Sequence, residues 1–534
     1  MDMRSINADV AVIGAGPTGA AMAWRLASGG RDVLCVDRGD WFDYDAIDRN
    51  GADWELRRAG ALHSNPNIRQ GAFDDPIDDS DSPIKPMIGN GIGGSSVYWS
   101  AHVPRFRPED FRIHTLDGVG CDWPVAYGDL APYYALNESR LGVASIAGDP
   151  SVPTDAGARL RLPTVGAHGR RMAQVFDRFG WHWWPVDLVV GRDADQPQTA
   201  HCTHIGPCDL GCPSRIRSGA DRAYAAEAVK AGARILPRTR AIRLEHGQDG
   251  RIVAAICATD DGPLRITASR FVICANGLGT PRLLLLSRSE QFPDGLANSS
   301  GLVGRNLMLH PYARVDGLFD EALGAMVSGE KAGLVSFEFY ATRPENGFKR
   351  GLKLQLTGGP GPAATARGAV VGRPLPWGEH HHAAFEARYD HTCGFTVCAE
   401  DLADPENRIT LSDSLTDRDG LPAAKMIYRL SENARQILDF GMQRAREVLL
   451  AAGAREIFDT PLRPEAGFHL MGTARMGQDP ASSVVDAFGR CHDHDNLFIA
   501  DASVFVSAAA INPTATAQAL ALRTADHILA DRQA

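Results

Sequence analysis

Residues 8–39, ADVAVIGAGPTGAAMAWRLASGGRDVLCVDRG, constrain this chain more than any other stretch. Val10, Val12 and Ile13 suit a buried strand, and Gly14, Gly16 and Gly19 have the GxGxxG spacing of a dinucleotide-binding turn. Gly14 makes the tight turn, Gly16 lets backbone approach a pyrophosphate, and Gly19 lets helix and sheet pack closely. The phosphates then lie at the positive end of a helix predicted over Pro17 to Ser28. A second strand, Asp32 to Val36, ends at Asp37, placed to accept hydrogen bonds from an adenosine ribose, with Arg38 beside it as a cofactor neighbour. Strand, turn, helix, strand and acid in register carry this reading, which the glycines alone do not.

A chain of 534 residues exceeds one ordinary core and implies two or three domains, discontinuous ones included. With 44% hydrophobic and 22% charged residues it reads as globular, and its net charge of -10 argues against a nucleic-acid partner. Residues 505–521 contain Asn512, Pro513 and Gln518 and do not read as an integral membrane segment, and Met1 to Asn7 runs straight into the first strand. A cytoplasmic location is the default, with export alongside a partner subunit as the alternative. Ten cysteines are too few for a disulfide scaffold, and Cys35, Cys257 and Cys274 read as packed thiols. Cys202, Cys208 and Cys212 differ because they cluster as C-x5-C-x3-C.

Further along, residues 40–81 read as a solvated acidic excursion. GNGIGGSSVYW brings a second glycine cluster, in which Gly93, Gly94 and Ser95 form a bare concavity suited to phosphates or a flavin ring. Trp123, Tyr133 and Tyr134 read as packing residues, and WHWWPVDLVV (181–190) reads as a strand dense in tryptophan. RILPRTRAIRLE returns to the nucleotide-binding part through a strand that places Ala241 near the cofactor. RFVICANGLGTPRLLLLSR repeats the logic of strand, glycine bend and helix, and an amphipathic helix is predicted near 431–452. His380, His381 and His382 are adjacent, so they converge poorly on one ion and read as surface or entrance loop. Near the end come the glycine turn GFHLMGTARMG with His469, a strand and turn bearing Asp501 and Ala502, and a helix starting at Asn512, Pro513 and Thr514. That helix start aims free N–H groups at whatever lies above it.

These stretches resemble the glucose–methanol–choline oxidoreductase family along nearly the whole chain: VIGAGPTGAAMAWRLA with Asp37, GNGIGGSSVYW, WPVAYGDLAPYY, ANGLGTPRLLLLS, VGRNLMLHP, FHLMGTARMG and FIADASVF with INPTATAQALALR. The resemblance implies an α/β fold: a discontinuous, doubly wound FAD-binding domain (1–125, 213–311, 461–534) and an antiparallel-sheet substrate domain (126–212, 312–460). It implies FAD-dependent oxidation of a sugar, glycoside or polyol hydroxyl, with oxygen, quinone or a cytochrome as electron acceptor. An oxygen-using glycoside or pyranose oxidase is the alternative, and a non-catalytic flavin-binding subunit is a further one.

His469 matches the family's catalytic histidine and Asn512 its His-or-Asn partner. The bland readings are a histidine satisfied within its turn and a helix cap. Asp501 resembles a residue near the ribityl and pyrophosphate, with a capping role as the alternative. Where some members attach FAD covalently through histidine this chain has Tyr98, so dissociable FAD is expected, although His102 is nearby. The cysteine trio resembles the iron–sulfur segment of membrane-associated sugar dehydrogenases, but the sequence after it, SRIRSGAD, departs from theirs. A redox-inert turn is the leading reading, an iron–sulfur cluster the second, and zinc the third, because zinc needs a fourth ligand that only His201 or His204 could supply awkwardly.

Overall fold

A computed structural model describes residues 3–44, 54–153, 160–161, 165–190, 217–325, 333–370, 372 and 374–531. The cysteine trio and its neighbouring histidines lie outside the described residues.

The opening stretch folds as its pattern dictates. Strand Arg4–Ile13 runs into helix Pro17–Ser28, which has proline in its first turn and ends at Gly29. The strand Val33–Val36 that follows pairs parallel to the first. Together they seed a seven-stranded sheet in the order Arg234–Leu236, Val33–Val36, Arg4–Ile13, Gly262–Ile273, Ile252–Thr259, Arg240–His246, with Leu497–Ile499 also pairing to Gly262–Ile273. Its centre is parallel and apolar on both faces, as Val10, Ala11, Val12 and Ile13 show by being buried. Ile252–Thr259 and Gly262–Ile273 form an antiparallel hairpin.

The C-terminal helix Thr514–Ala530 packs between helices Pro17–Ser28 and Tyr127–Leu141. It is buried almost all round, so its polar side chains must find partners inside. Thr516 Oγ1 lies 2.7 Å from the Tyr134 hydroxyl, and Gln518 accepts from Asn137 Nδ2 at 3.1 Å while donating to the Pro17 carbonyl at 3.1 Å. These bonds lock the start of this helix beside the first glycine turn.

A second, five-stranded antiparallel sheet has the order Val335–Ser336, Leu352–Gly358, Thr392–Ala399, Tyr312–Leu318, Glu456–Thr460. Alternation gives it two different faces. Ala313, Val315, Leu352, Leu354, Leu356, Phe395 and Val397 share a core with Ile437, Leu438, Met442, Ala445, Val448 and Leu449 of helix Glu432–Ala451. The opposite face carries Tyr312, Cys398 and Lys353 in one row, directly paired across three strands, with Gln355 and Thr396 in the next.

Three expectations change. The hairpin Arg408–Thr416 and Pro422–Ile427, expected with the substrate domain, pairs instead with Ile77–Asp81 and packs on helix Asn276–Leu286 beside the nucleotide-binding sheet. Residues 181–190 form only the two-residue strand Leu188–Val189 and a bridge from Trp184 to Val335, because Pro185 has no N–H to continue a ladder. The acidic excursion is not all solvated: Asp75 is buried.

Candidate active site

A long cleft of about 1610 Å³, open mouth included, runs between the two glycine clusters and the C-terminal helix. Its walls include Gly14, Gly16, Asp37, Arg38, Gly94, Ser95, Ala241, His469, Asp501, Ala502, Pro513 and Thr514. The walls are bare because they must be. Gly93 N–H donates to the Ala15 carbonyl at 2.8 Å, joining the two loops, and a Cβ on Gly94 would sit 3.0 Å from Gly16 Cα. Gly94 also has φ +54°, which a side chain disfavours.

Three expected cofactor residues lie off the wall. Gly19 is a packing position, since a Cβ there would overlap the Gly14 carbonyl, and Gly93 backs onto Asp221. Asn512 turns to the sheet above.

Asp37 does more than was expected. Its Oδ2 accepts from Ala15 N–H at 2.8 Å and its Oδ1 from Gly39 N–H at 2.9 Å, so it holds the glycine turn from below while lining the cleft. A carboxylate has about four acceptor sites, so two bonds leave capacity for a ribose hydroxyl. Burial pushes its pKa up against the lowering effect of those N–H groups. Beside it lies a buried ionic network: Asp75 Oδ2 accepts from Arg38 at 2.7 Å and Arg240 at 2.8 Å, and Asp417 Oδ2 from Arg240 at 2.6 Å and Arg282 at 2.5 Å. This network ties the hairpin 408–427 to the cleft.

Asp501 is both a cap and a wall. It accepts from Asn276 N–H at 3.0 Å, Thr280 Oγ1 at 2.6 Å and Ser503 N–H at 2.8 Å, pinning two helix starts at the cleft. Tyr98 packs its ring edge-on to Phe42, with centroids 5.4 Å apart. His380, His381 and His382 contribute nothing to the cleft wall.

At the far end His469 and Asn512 come under the polar face of the five-stranded sheet, each held by a residue the sequence reading did not select. His469 Nδ1 lies 2.7 Å from His310 Nδ1, the rings edge-on with centroids 4.8 Å apart, and the Tyr312 hydroxyl is 3.4 Å away. Asn512 Oδ1 accepts from Lys353 Nζ at 2.5 Å.

These contacts fix where the protons sit. His310 Nε2 lies against two carbonyls, Ala509 O and, at 3.2 Å, Ala508 O, which only accept, so Nε2 carries hydrogen. Ala509 holds its carbonyl there with φ +53°, in the left-handed region. Burial pushes the His310 pKa down to about 4, so its ring is neutral and Nδ1 is a lone pair. His469 Nδ1 must therefore donate, which leaves the lone pair of His469 on Nε2. Burial first, and then the charge of its neighbours, holds the His469 pKa well below the ordinary histidine value, so it stays an unprotonated base at neutral pH. Lysine has donors only, so it turns Asn512 to present Oδ1 upward and leaves Nδ2 as a donor. A neutral imidazole and an oriented amide donor are what removing a hydroxyl proton requires.

Little in the sequence could have found His310 or Lys353. His310 stands in LMLHP, an apolar run where one histidine looks like a packed core residue, and Lys353 is a single cation in the strand LKLQLTG.

Among the described residues no helix is long and apolar enough to cross a membrane, and no group of three or more His, Cys, Asp or Glu could hold a metal ion.

Comparison with known proteins agrees with this architecture. The GMC oxidoreductase N-terminal and C-terminal family models match residues 189–312 and 403–521, and the FAD dependent oxidoreductase model matches 9–70. The chain is 35% identical to 2-methyl-1,2-propanediol dehydrogenase of Mycolicibacterium austroafricanum over 545 residues, covering 99% of this chain and 96% of the other. It is 31% identical to the fructose dehydrogenase large subunit of Gluconobacter japonicus, covering 99% of both. Pyridoxine 4-oxidase from Mesorbium loti has the same fold, with a TM-score of 0.65 at 17% identity over 97% of this chain and 98% of that one. The bare glycine walls, the helix start at Thr514 and the acid at Asp37 fit FAD, and the chain belongs to the GMC oxidoreductase family, FAD-dependent enzymes acting on CH–OH groups of small organic substrates.

Proposed function

We propose that this protein oxidises a hydroxyl of a sugar, glycoside or polyol to a carbonyl, with His469 as the base and Asn512 as the orienting donor. The observation that carries the reading is the chain from the Ala509 carbonyl through His310 to His469, which leaves a lone pair on His469 Nε2. The substrate O–H gives its proton to that nitrogen, and Asn512 Nδ2 holds the oxygen as charge builds on it. The glycine walls would hold a dissociable FAD, which would supply the acceptor for the hydride that leaves the same carbon. The N–H groups at Thr514 and the positive end of its helix favour negative charge above them.

The names of the relatives do not choose the acceptor, because two are dehydrogenases and others of like identity are oxidases; we take the dehydrogenase reading, with a quinone or cytochrome acceptor, and keep the oxygen-using oxidase as its alternative. The test is anaerobic titration of the purified flavoprotein against a panel of sugars and polyols, followed by reoxidation with oxygen or a quinone. Bleaching of the flavin by a polyol, slowed by loss of His469, supports the reading; a flavin that no alcohol reduces overturns it. Peroxide formed in step with oxygen uptake would replace the dehydrogenase reading with an oxidase.

A further inference from the structure

The amide that orients the substrate hydroxyl is itself held by a cation inside the protein. Asn512 is buried, its Oδ1 accepts from Lys353 Nζ at 2.5 Å, and Lys353 is only 1% exposed. The strand bearing the lysine, Leu352–Gly358, is an inner one of the five, so Cys398 lies directly across one ladder and Tyr312 across the next. The following row of the same face is Gln355, Thr396 and Arg314. Of the carboxylates on and beside this face, two are held by arginines of their own. Asp316, four residues from Tyr312 and so roughly 13 Å along its strand, accepts from Arg314 at 2.7 and 2.5 Å. Glu400, just past the strand bearing Cys398, accepts from Arg350 at 2.9 Å.

Burial lowers the Lys353 pKa. A lysine starts from about 10.4, so it can lose about three units and still be charged at neutral pH. A cation on Oδ1 draws electron density along the O–C–N system of the amide and makes its Nδ2–H a stronger donor, because hydrogen bonds in a chain polarise one another. The substrate oxygen gains negative charge as its proton moves to His469 Nε2, so the stronger donor counts most in the transition state. After burial, the same charge also lowers the pKa values of His310 and His469, which keeps the base unprotonated.

We propose that Lys353 gives Asn512 the strength of a cationic donor, so that the pair forms an oxyanion site for the alkoxide character that builds on the substrate, and that the lysine contributes its charge as well as the orientation of the amide. Lys353 touches no substrate and is a positioning residue acting through Asn512; it keeps its proton throughout. This rests on the alcohol-oxidation reading above and adds to it how the developing charge is met.

The test separates charge from orientation in the FAD-loaded protein. Lys353→Gln keeps an N–H donor for Oδ1 without the charge, and Lys353→Arg keeps both. The first readout is binding of acetate, an anion with no hydroxyl and no hydrogen on its carboxyl carbon, followed by the flavin absorbance. Acetate is expected to bind the wild type, and to bind Lys353→Gln and Asn512→Ala about 5- to 30-fold more weakly, the difference between a charge-assisted and a neutral hydrogen bond. Lys353→Arg is expected to stay within about threefold of wild type, well inside that difference. The second readout is the pH dependence of anaerobic flavin reduction by glycerol or sorbitol, whichever reduces the wild type faster. Wild type is expected to lose rate through an alkaline limb below the ordinary lysine value. Burial pushes Cys398 and Tyr312 up and His102, His310 and His469 down, so of the groups facing this row Lys353 is the one brought into that range. Lys353→Gln is expected to lack that limb and to have its acid limb moved up, since the imidazoles lose a neighbouring cation.

A Lys353→Gln protein with wild-type acetate affinity and both limbs unmoved overturns the proposal and leaves Lys353 an orienting residue alone. So does an alkaline limb that Lys353→Gln retains, which belongs to another group, or acetate that does not bind the wild type. If no polyol bleaches the flavin yet acetate binds Lys353→Gln more weakly and Lys353→Arg normally, the charged donor stands and the oxidation reading falls. If Lys353→Gln does not fold, the wild type decides: its acetate affinity must fall as pH rises toward the lysine value, and a constant affinity overturns the proposal.

Discussion

Replacing His310 tests the proton assignment more sharply than replacing the base itself, because His310 touches no substrate in the reading above. In the native arrangement the wrong tautomer of His469 would set two lone pairs against each other at the 2.7 Å separation of the two Nδ1 atoms. Leaving buried polar atoms unmatched costs about 1–3 kcal/mol, so the form with the lone pair on Nε2 is favoured by about that much. At about 1.4 kcal/mol per tenfold, this is roughly a 5- to 140-fold bias toward the reactive form. His310→Phe keeps a buried ring but removes the acceptor; with the bias gone the two neutral forms are about equally populated, so the reactive fraction falls from nearly all to about half and flavin reduction should slow about twofold with FAD still bound. His310→Asn places an acceptor near the Nδ1 position and should recover part of the loss. Stopped-flow reduction of the flavin under argon, with flavin content measured for each variant, reads both outcomes. A His310→Phe protein that binds FAD and is reduced at the wild-type rate would refute the relay.

The remaining predictions use the same site. His469→Ala should slow anaerobic reduction by about 10²- to 10⁴-fold while FAD stays bound, the range for loss of a general base, and unchanged reduction kinetics would remove it from that role. Lys353→Met frees the Asn512 amide to flip, so it should lower the reduction rate as Asn512→Ala does, and the double variant should be little slower than either single one; additive losses would separate the two residues. The low pKa of His469 should keep the acid limb of the reduction rate below the ordinary histidine value of about 6.5, and a limb at or above that value would contradict a buried neutral base. Because the folded pKa of His310 is depressed to about 4, the unfolded chain binds a proton that the folded one does not between about pH 6.5 and 4. Stability from this group is therefore complete above that window and falls by about 3 kcal/mol as pH drops through it, a loss that denaturant melts of wild type but not of His310→Phe should show. Gly94→Ala, whose new Cβ would meet Gly16 Cα at 3.0 Å, should weaken FAD retention on gel filtration.

The sequence alone determined the parts of this protein that local interactions build. Strand, glycine turn, helix and acid lie within 32 consecutive residues, so their chemistry and geometry are written in one place, and the structure reproduces helix Pro17–Ser28 to the residue. The family motifs extended that legibility to His469 and Asn512, because each sits in a glycine turn or helix start with its own spacing. Tertiary structure decided what those two residues can do. His310 and Lys353 each stand 159 residues away from the partner they orient, and such pairing leaves no period or spacing in a single chain. The same holds for Asp75, one carboxylate in an acid-rich stretch until folding brings Arg38, Arg240 and Arg282 to it, and for the hairpin 408–427, whose allegiance is set by the strand and helix it packs on. A proton's position depends on which atoms face each other at hydrogen-bond distance, and only the folded chain brings those atoms face to face.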